Sequence, residues 1–358
     1  MSLFSKARIL SESGKYDSCG PKACEVNIEK GLGGIYTAKA EHKTCRLFKT
    51  LMTNACKFDC KYCQNSNCKN RKTATYKPKE LAKLFTHLQK KLDVHGLFLS
   101  SAVGGDVDKI SEKMIKAVEI LRFKYKFRGY IHFKVLPGTS YELIKQASEL
   151  SNRMSINIEA PNKSALSEVS SCKDYKIDIL RRQAWISKLS KSQTTQMIVN
   201  KFSSDKDILK MLKWEYEKLK LDRIYFAAFK PVKGTPMENI PAEKESRQNH
   251  LYNIDFLIRR YGYSFKEIEN VLVNEMLPNE DPKLAMAKAN FDKPVDINDL
   301  DYEQLIRVPG IGPITAKRIL NKNKINSFRE LRDLGGSVKR ALPFVKIRGQ
   351  SQRLLTDF

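Results

Sequence analysis

The sequence predicts an α/β fold built on a parallel β-sheet, followed by a small helical module. Two observations indicate this class. Short runs of β-branched and aromatic residues alternate with longer helical stretches from about residue 46, and the alternation stops near residue 230. Alternation of this kind implies parallel strands joined by right-handed crossovers. Six such units could form either an open doubly wound sheet or a partial (β/α)6 barrel.

Each predicted strand is a short apolar run bounded by polar or turn-forming residues. The run that begins at Gly129, for example, is stopped by Pro137 and Gly138. The predicted strands span residues 46–53, 97–101, 129–136, 154–159, 194–199 and 223–229. The predicted helices span residues 109–126, 141–150, 177–189, 205–219, 250–261 and 265–274.

Changes in pattern along the chain divide it into four segments. Residues 1–44 are an N-terminal extension, and residues 45–230 carry the alternating strands and helices. Residues 231–294 show a looser pattern and are interpreted as a helical strap or linker. Residues 295–358 form the small module, which is expected to be all-α.

Composition limits the classes of partner. The net charge is +25, from 65 basic and 40 acidic residues, and such an excess points first to nucleic acid. A surface merely coated with lysine explains the charge equally well. No run of eighteen apolar residues occurs and the first residues are polar, so we expect a cytoplasmic protein without membrane association. Eight cysteines in 358 residues indicate metal ligands or buried thiols rather than a disulfide scaffold.

Three cysteines are the most specific feature. Cys56, Cys60 and Cys63 have the spacing C-x3-C-x2-C, and three thiolates this close can hold three irons of a [4Fe-4S] cluster. No fourth ligand of matching spacing lies nearby, so one iron would stay open to a small chelating substrate. The alternative is a zinc knuckle or unrelated thiols. An auxiliary site formed by Cys19, Cys24 and Cys45 with Cys68 is also conceivable, although inert thiols explain that irregular spacing better.

The spacing, with an aromatic residue just before the last cysteine, resembles the signature of the radical SAM superfamily. The resemblance favours a partial (β/α)6 TIM-type barrel over an open sheet. It implies that Cys56, Cys60 and Cys63 hold a [4Fe-4S] cluster whose open iron is chelated by S-adenosylmethionine. One electron from a donor then cleaves the sulfonium to methionine and a 5′-deoxyadenosyl radical. No catalytic residue is assigned beyond the cluster.

The same resemblance places contacts to S-adenosylmethionine (SAM) at the carboxyl ends of the strands. Ser100 and Ser101 replace the family's Gly-Gly-Glu-like stretch that contacts the methionine amine, and the run from Gly104 to Asp106 is an alternative. Glu159 could hold the ribose hydroxyls or the sulfonium. His132 is better explained as a satisfied core histidine. The predicted SAM-binding residues are Tyr62, Ser100, Ser101, Asn157, Glu159 and Gln196.

A second motif lies near the C-terminal end. Gly310 and Gly312 predict a tight turn between two helices, where the lack of Cβ atoms lets a phosphate approach the amides at a positive helix end. From residue 308 to residue 358 there are eleven Lys or Arg and three Asp or Glu residues. The run resembles the helix-hairpin-helix motif, which grips the DNA backbone; the alternative is a hairpin used only for packing. The predicted nucleic-acid-binding residues are Gly310, Ile311, Gly312, Thr315, Lys317 and Arg318.

Both motifs together resemble the radical SAM proteins assigned to DNA modification or repair, which often accompany a uracil-DNA-glycosylase-like partner. The matching stretches are residues 15–17, 51–54, 98–101, 128–132, 155–159, 195–199 and 307–312. The resemblance implies an enzyme that modifies or repairs a nucleotide in DNA. Two alternatives remain: modification of tRNA or another RNA, and a non-catalytic iron–sulfur protein that binds nucleic acid.

Overall fold

The computed structural model describes residues 1–14, 34–40, 43–67, 71–322 and 324–349. The chain separates into two compact units, one formed by Met1–Ser203 with Lys210–Glu245 and the other by Ser204–Leu209 with Ser246–Phe358. The change of unit after residue 245 falls inside the segment 231–294 that the sequence assigns to a strap. Cys19, Cys24, Cys68 and the stretch 15–17 lie outside the described residues, so the auxiliary site stays a prediction.

The first unit is built on a seven-stranded sheet whose strand order follows the sequence. The strands are β1 Ile35–Ala40, β2 Lys43–Leu51, β3 Gly96–Ser100, β4 Tyr130–Lys134, β5 Arg153–Ser155, β6 Gln193–Val199 and β7 Arg223–Ala228. Strands β2 to β7 are parallel, and β1 pairs with β2 in the antiparallel sense. The sheet curls into a half-barrel. The six predicted strands are therefore confirmed, and β1 is an addition from the segment described as an extension.

Helices connect the strands. They are α1 Leu3–Ser13, α2 Pro78–Leu92, α3 Val107–Glu119, α4 Tyr141–Leu150, α5 Lys163–Val169, α6 Arg181–Leu189 and α7 Asp205–Lys218. Helix α3 continues into a π-helical turn at Ile120–Lys124, and α6 is preceded by one at Tyr175–Leu180. None of these helices, nor those of the second unit as far as it is described, is long and apolar enough to cross a bilayer.

The two faces of the sheet differ in character. Phe48, Leu97 and Phe133 belong to the hydrophobic core that includes residues of α2, α3 and α4. Successive side chains on a strand point to opposite faces, so the intervening residues line the other face. There, the ring of His132 stacks 4.3 Å from that of Phe98. His132 Nε2 also lies 2.8 Å from the Ser155 hydroxyl. This buried, hydrogen-bonded His132 matches the core interpretation.

The second unit is mainly helical. Its helices are α8 Glu245–Tyr261, α9 Phe265–Glu269, α10 Pro282–Asn290, α11 Tyr302–Arg307, α12 Pro313–Leu320, α13 Phe328–Asp333 and α14 Val338–Ala341. Ile297, Leu305, Ile319, Leu331 and Val345 contribute to a separate hydrophobic core. Strands β8 Val295–Asp296 and β9 Val345–Lys346 form a parallel pair. The expectation of an all-α module was wrong in this respect, because residues 345–346 return alongside residues 295–296 and pair with them.

Candidate functional site

The three cysteines lie on a loop that follows β2, at the carboxyl edge of the parallel strands. This loop, residues 54–67, is held beside the end of β3 by backbone hydrogen bonds. Ala102 N donates to Thr53 O at 2.9 Å, and Lys57 N donates to Val103 O at 2.6 Å. A Cβ atom on Gly104 would lie 2.9 Å from the Ala55 carbonyl oxygen, so this glycine permits the close approach. The cluster loop is thereby fixed against the strand end.

The thiols are neighbours in a poorly solvated setting. Cys60 is buried, Cys56 and Cys63 are half-buried, and all three are free thiols. Burial, followed by the neighbouring Cys60, raises the pKa of the Cys63 thiol to about 12. No three described His, Cys, Asp or Glu side chains converge on a single metal ion. Three neighbouring thiolates match the donor set of a [4Fe-4S] cluster, which takes one thiolate per iron.

Asp59, between the cysteines, ties the loop to residues 170–172. Its carboxylate accepts hydrogen bonds from the Ser170 hydroxyl at 2.9 Å and from Ser171 N at 2.9 Å. The Cys172 thiol donates to the same carboxylate at 2.9 Å. Burial alone would raise the pKa of Asp59, but the hydrogen bonds from Cys172, Ser171 and Ser170 outweigh it and hold that pKa well below its usual range. The loop is therefore anchored on both sides.

A buried ion pair lies behind the cluster loop. Lys173 Nζ is 3.5 Å from Glu159 Oε1, and the two side chains are only 5% and 11% exposed. Burial lowers the pKa of Lys173, but the nearby charges of Cys60 and Glu159 outweigh it and raise that pKa. Burial, together with the charges of Glu159 and Cys60, raises the pKa of Tyr62 well above its usual value. Tyr62 and Glu159, both predicted to bind SAM, therefore influence each other electrostatically.

The other predicted SAM-binding residues occupy neighbouring strand ends. Ser100 is buried at the end of β3, where its carbonyl accepts from Met52 N at 2.8 Å. Ser101 Oγ accepts from Thr53 N at 3.3 Å, which places it against the start of the cluster loop. The Gln196 carbonyl accepts from Glu159 N at 3.1 Å. Asn157, two residues before Glu159, is half-buried.

Four residues of this site were not predicted from the sequence: Asp59, Ser170, Cys172 and Lys173. Asp59 could have been found from its place inside the cysteine motif. The other three lie in an irregular stretch more than one hundred residues further on, and no periodicity connects them with the thiols. Only the folded loop brings them together.

The glycine turn in the second unit joins α11 to α12. Gly310 has φ +86°, and a Cβ atom there would lie 2.6 Å from the Ser337 carbonyl oxygen. The space beside Gly310 is thus taken by protein. Ile311 and Thr315 are buried as well. Lys317 and Arg318 are exposed on α12, and Arg318 Nη1 donates to Leu334 O at 3.2 Å.

Lys283 supports this turn from inside. Its ammonium donates to the Ile311 carbonyl at 2.6 Å and lies 4.7 Å from the centre of the Tyr261 ring. Burial and the positive charge of Arg340 lower the pKa of Lys283 to about 7, although Asp281 opposes the shift. Arg340 is itself paired with Asp281 at 2.9 Å. The carbonyl of Ile311 is therefore already engaged within the unit.

The sequence of residues 50–214 matches the radical SAM superfamily. The match begins in β2, ends in α7, and includes the three cysteines, Glu159 and Lys173. The chain therefore contains a radical SAM domain. Its cofactors are a [4Fe-4S] cluster and S-adenosylmethionine.

Solved structures resemble parts of the chain at low identity. HydG, a maturase of the [FeFe]-hydrogenase, is 11% identical with a TM-score of 0.49, covering 59% of this chain and 49% of that one. Methylornithine synthase (PylB) is 13% identical with a TM-score of 0.47, covering 55% of this chain and 57% of that one. Streptococcus suis SuiB bound to S-adenosylmethionine is 12% identical with a TM-score of 0.46, covering 60% and 47%.

The matched region thus spans about half the length of each of these structures. No curated protein matches the chain.

Proposed function

We propose that this radical SAM enzyme modifies or repairs a nucleotide in DNA. The cluster and S-adenosylmethionine would supply a 5′-deoxyadenosyl radical that abstracts hydrogen from the nucleotide or adds to it. The three thiolates of the cluster loop would hold three irons and leave the fourth for S-adenosylmethionine. Membership of the superfamily does not specify a nucleic-acid target. This part of the proposal is based on one observation in the second unit.

That observation is the amino-terminal end of α12. Neighbouring helices α9, α10, α11 and α13 begin at a residue whose side chain accepts a hydrogen bond from the helix backbone: Ser264, Asp281, Asp301 and Ser327. Helix α12, which is preceded by Gly312, has no such side-chain cap, and neither does the four-residue helix α14. The first amides of a helix have no partner within it, and the helix dipole makes this end positive. The end of α12 therefore suits a phosphate group.

Charge around this end supports the same partner. Lys317 and Arg318 are exposed on α12, and the segment 308–358 holds eleven Lys or Arg and only three Asp or Glu residues. Contacts of this kind neutralise phosphates without reading bases, so they hold many sequences equally. Ile314, 68% exposed at the same end, offers an apolar contact to a sugar. This arrangement supports the proposed helix-hairpin-helix grip on the DNA backbone.

The chemistry then requires an accessible nucleotide. A base inside a duplex cannot enter a site enclosed by strand ends and a cluster loop, so we expect a flipped or single-stranded nucleotide. Unstacking costs a few kcal/mol. An electron donor must supply the single electron, and a glycosylase-like protein is the proposed partner. The alternatives are an RNA substrate such as tRNA and a non-catalytic iron–sulfur protein.

Binding experiments test the nucleic-acid assignment. The test variant combines Lys317→Gln with Arg318→Gln. The control combines Lys266→Gln, in α9, with Lys293→Gln, at an exposed position, and so removes the same charge elsewhere in the unit. Duplex DNA, single-stranded DNA and tRNA are titrated across a salt series. The α12 variant should bind DNA more weakly, with a salt slope about two units shallower than wild type. A preference for tRNA would overturn the choice of DNA, and equal losses in both variants would overturn the α12 site.

Turnover tests the enzyme assignment. Reduced, reconstituted protein should cleave S-adenosylmethionine to 5′-deoxyadenosine, and a Cys60→Ala variant should not. Equal behaviour of the two proteins would favour the non-catalytic alternative. Mass spectrometry of nucleosides from cells with and without the gene would identify the modified base.

A further inference from the structure

The side chains of Lys173 and Glu159 form a buried ion pair. Lys173 lies in an irregular segment after α5, and both side chains are nearly closed to water. Burying two charges costs several kcal/mol per ion before their attraction is counted, and apolar residues of similar size often serve stability as well. The stability of the fold alone therefore does not explain why two charged residues occupy these positions.

Both members of the pair face the cluster ligands. The ammonium of Lys173 lies 5.8 Å from the centre of the Phe58 ring within the cluster loop, and the charge of Cys60 raises its pKa. Glu159 Oε1 lies 3.5 Å from that ammonium, and its charge raises the pKa of Tyr62, the residue just before Cys63. One positive and one negative charge thus stand at fixed places beside the same thiols.

Their positions are rigidly set. Glu159 has φ +62°, a left-handed conformation that few residues other than glycine adopt. Two backbone hydrogen bonds hold it there: Glu159 N donates to Gln196 O at 3.1 Å, and Ile198 N donates to Glu159 O at 2.8 Å. The segment that carries Lys173 is tied to the cluster loop through Asp59, which accepts from Ser171 N at 2.9 Å. Hydrogen bonds therefore hold the backbone at Glu159 and next to Lys173.

We propose that Lys173 and Glu159 set the reduction potential of the [4Fe-4S] cluster, Lys173 favouring the reduced form and Glu159 opposing it. Reduction adds one negative charge to the cluster. A cation beside the ligand thiolates stabilises that charge, and a nearby carboxylate destabilises it. Little water screens either interaction, because both side chains are buried. The inference rests on the radical SAM chemistry and is independent of the DNA target.

The test is a redox titration of the reconstituted cluster, followed by the electron paramagnetic resonance of its reduced form, with dithionite as reductant and no substrate. Lys173→Met should move the potential to a more negative value, and Glu159→Gln should move it to a more positive value. Lys173→Arg keeps the charge and should stay near wild type. Lys57→Met removes the same charge from an exposed position on the same loop, where solvent screens it, and should shift the potential less.

Opposite signs distinguish this role from a structural one. If Lys173→Met and Glu159→Gln shift the potential in the same direction, or no further than Lys57→Met does, the proposal is overturned. Should Lys173→Met fail to retain iron, the positive shift of Glu159→Gln and the near-wild-type potential of Lys173→Arg decide the matter. A Glu159→Gln potential at or below that of wild type would then refute it.

Discussion

Replacing Glu215 by Gln should remove much of the pH dependence of stability in the first unit. Glu215 is fully buried, and the Gln183 amide donates to its Oε1 at 2.8 Å. Burial raises the pKa of this carboxyl from 4.5 to about 8, with the Gln183 hydrogen bond opposing the shift. The folded state therefore keeps a proton that the unfolded state has lost. Stability contributed by this proton is complete below pH 4.5 and falls as pH rises to about 8.

The expected size follows from linkage. In the window between the two pKa values, each pH unit lowers the free energy of unfolding by up to about 1.4 kcal/mol. From pH 5 to pH 8 the loss from this one group is about 3.5 kcal/mol. Glu215→Gln lacks the group, so the difference in unfolding free energy between variant and wild type should change by roughly this amount. Other titrating groups are present in both proteins and cancel in the comparison.

The assay is urea denaturation followed by tryptophan fluorescence at pH 5, 6.5 and 8. The chain has two tryptophans, Trp185 and Trp214, and both lie in the first unit, so fluorescence reports that unit alone. The unfolding free energy of the variant should increase steadily relative to that of wild type as pH rises. A constant difference across the series would show that Glu215 is ionised in the folded protein and would refute the reasoning.

Three further predictions concern named contacts. Lys283 has a folded pKa of about 7 against an ordinary 10.5, so stability of the second unit should rise between these values by up to about 1.4 kcal/mol per pH unit. Circular dichroism in urea should show that rise in wild type and not in Lys283→Met; parallel slopes would contradict it. Gly310→Ala should lower the unfolding free energy by about 2–4 kcal/mol, because of its φ and the approach of the Ser337 carbonyl oxygen. In Gly312→Ala the added Cβ atom would lie 3.2 Å from the Tyr261 hydroxyl, so the unfolding free energy should fall by less than about 1 kcal/mol. Equal losses in the two glycine variants, measured by the same urea denaturation, would refute this difference. Asp59→Ala should speed iron loss from the reconstituted cluster to a chelator relative to wild type, since it frees the loop; an unchanged rate would show that the thiolates alone hold the loop.

Much of the first unit could be predicted because its strands are short apolar runs with clear stops. Helix α4, Tyr141–Leu150, begins and ends where its pattern does. Strand β1 was missed, since it is an edge strand of six residues that pairs with its neighbour β2. The fourth predicted strand ends early, at Ser155, and its backbone pairs with β6 again at Glu159. Tertiary pairing, rather than local propensity, decides such boundaries.

The candidate sites show the same division. The thiol spacing is a local signal and could be recognised in the sequence alone. Lys173 could not, because its relation to Cys60 depends on how the chain folds after α5. Gly310 was correctly placed in a turn, but the reason for the glycine differs: the carbonyl of Ser337, rather than a phosphate, occupies the space at its missing side chain. The sequence indicates that this position requires a glycine, but it does not show which neighbouring atom excludes a side chain.

Electron paramagnetic resonance of the anaerobically reconstituted, reduced protein tests the central claim most directly. The account predicts a [4Fe-4S] signal that changes when S-adenosylmethionine is added, since the iron without a cysteine ligand is free to bind it. It also predicts loss of this signal in Cys60→Ala. A wild-type protein that holds no cluster, or a cluster whose signal ignores S-adenosylmethionine, would contradict the account.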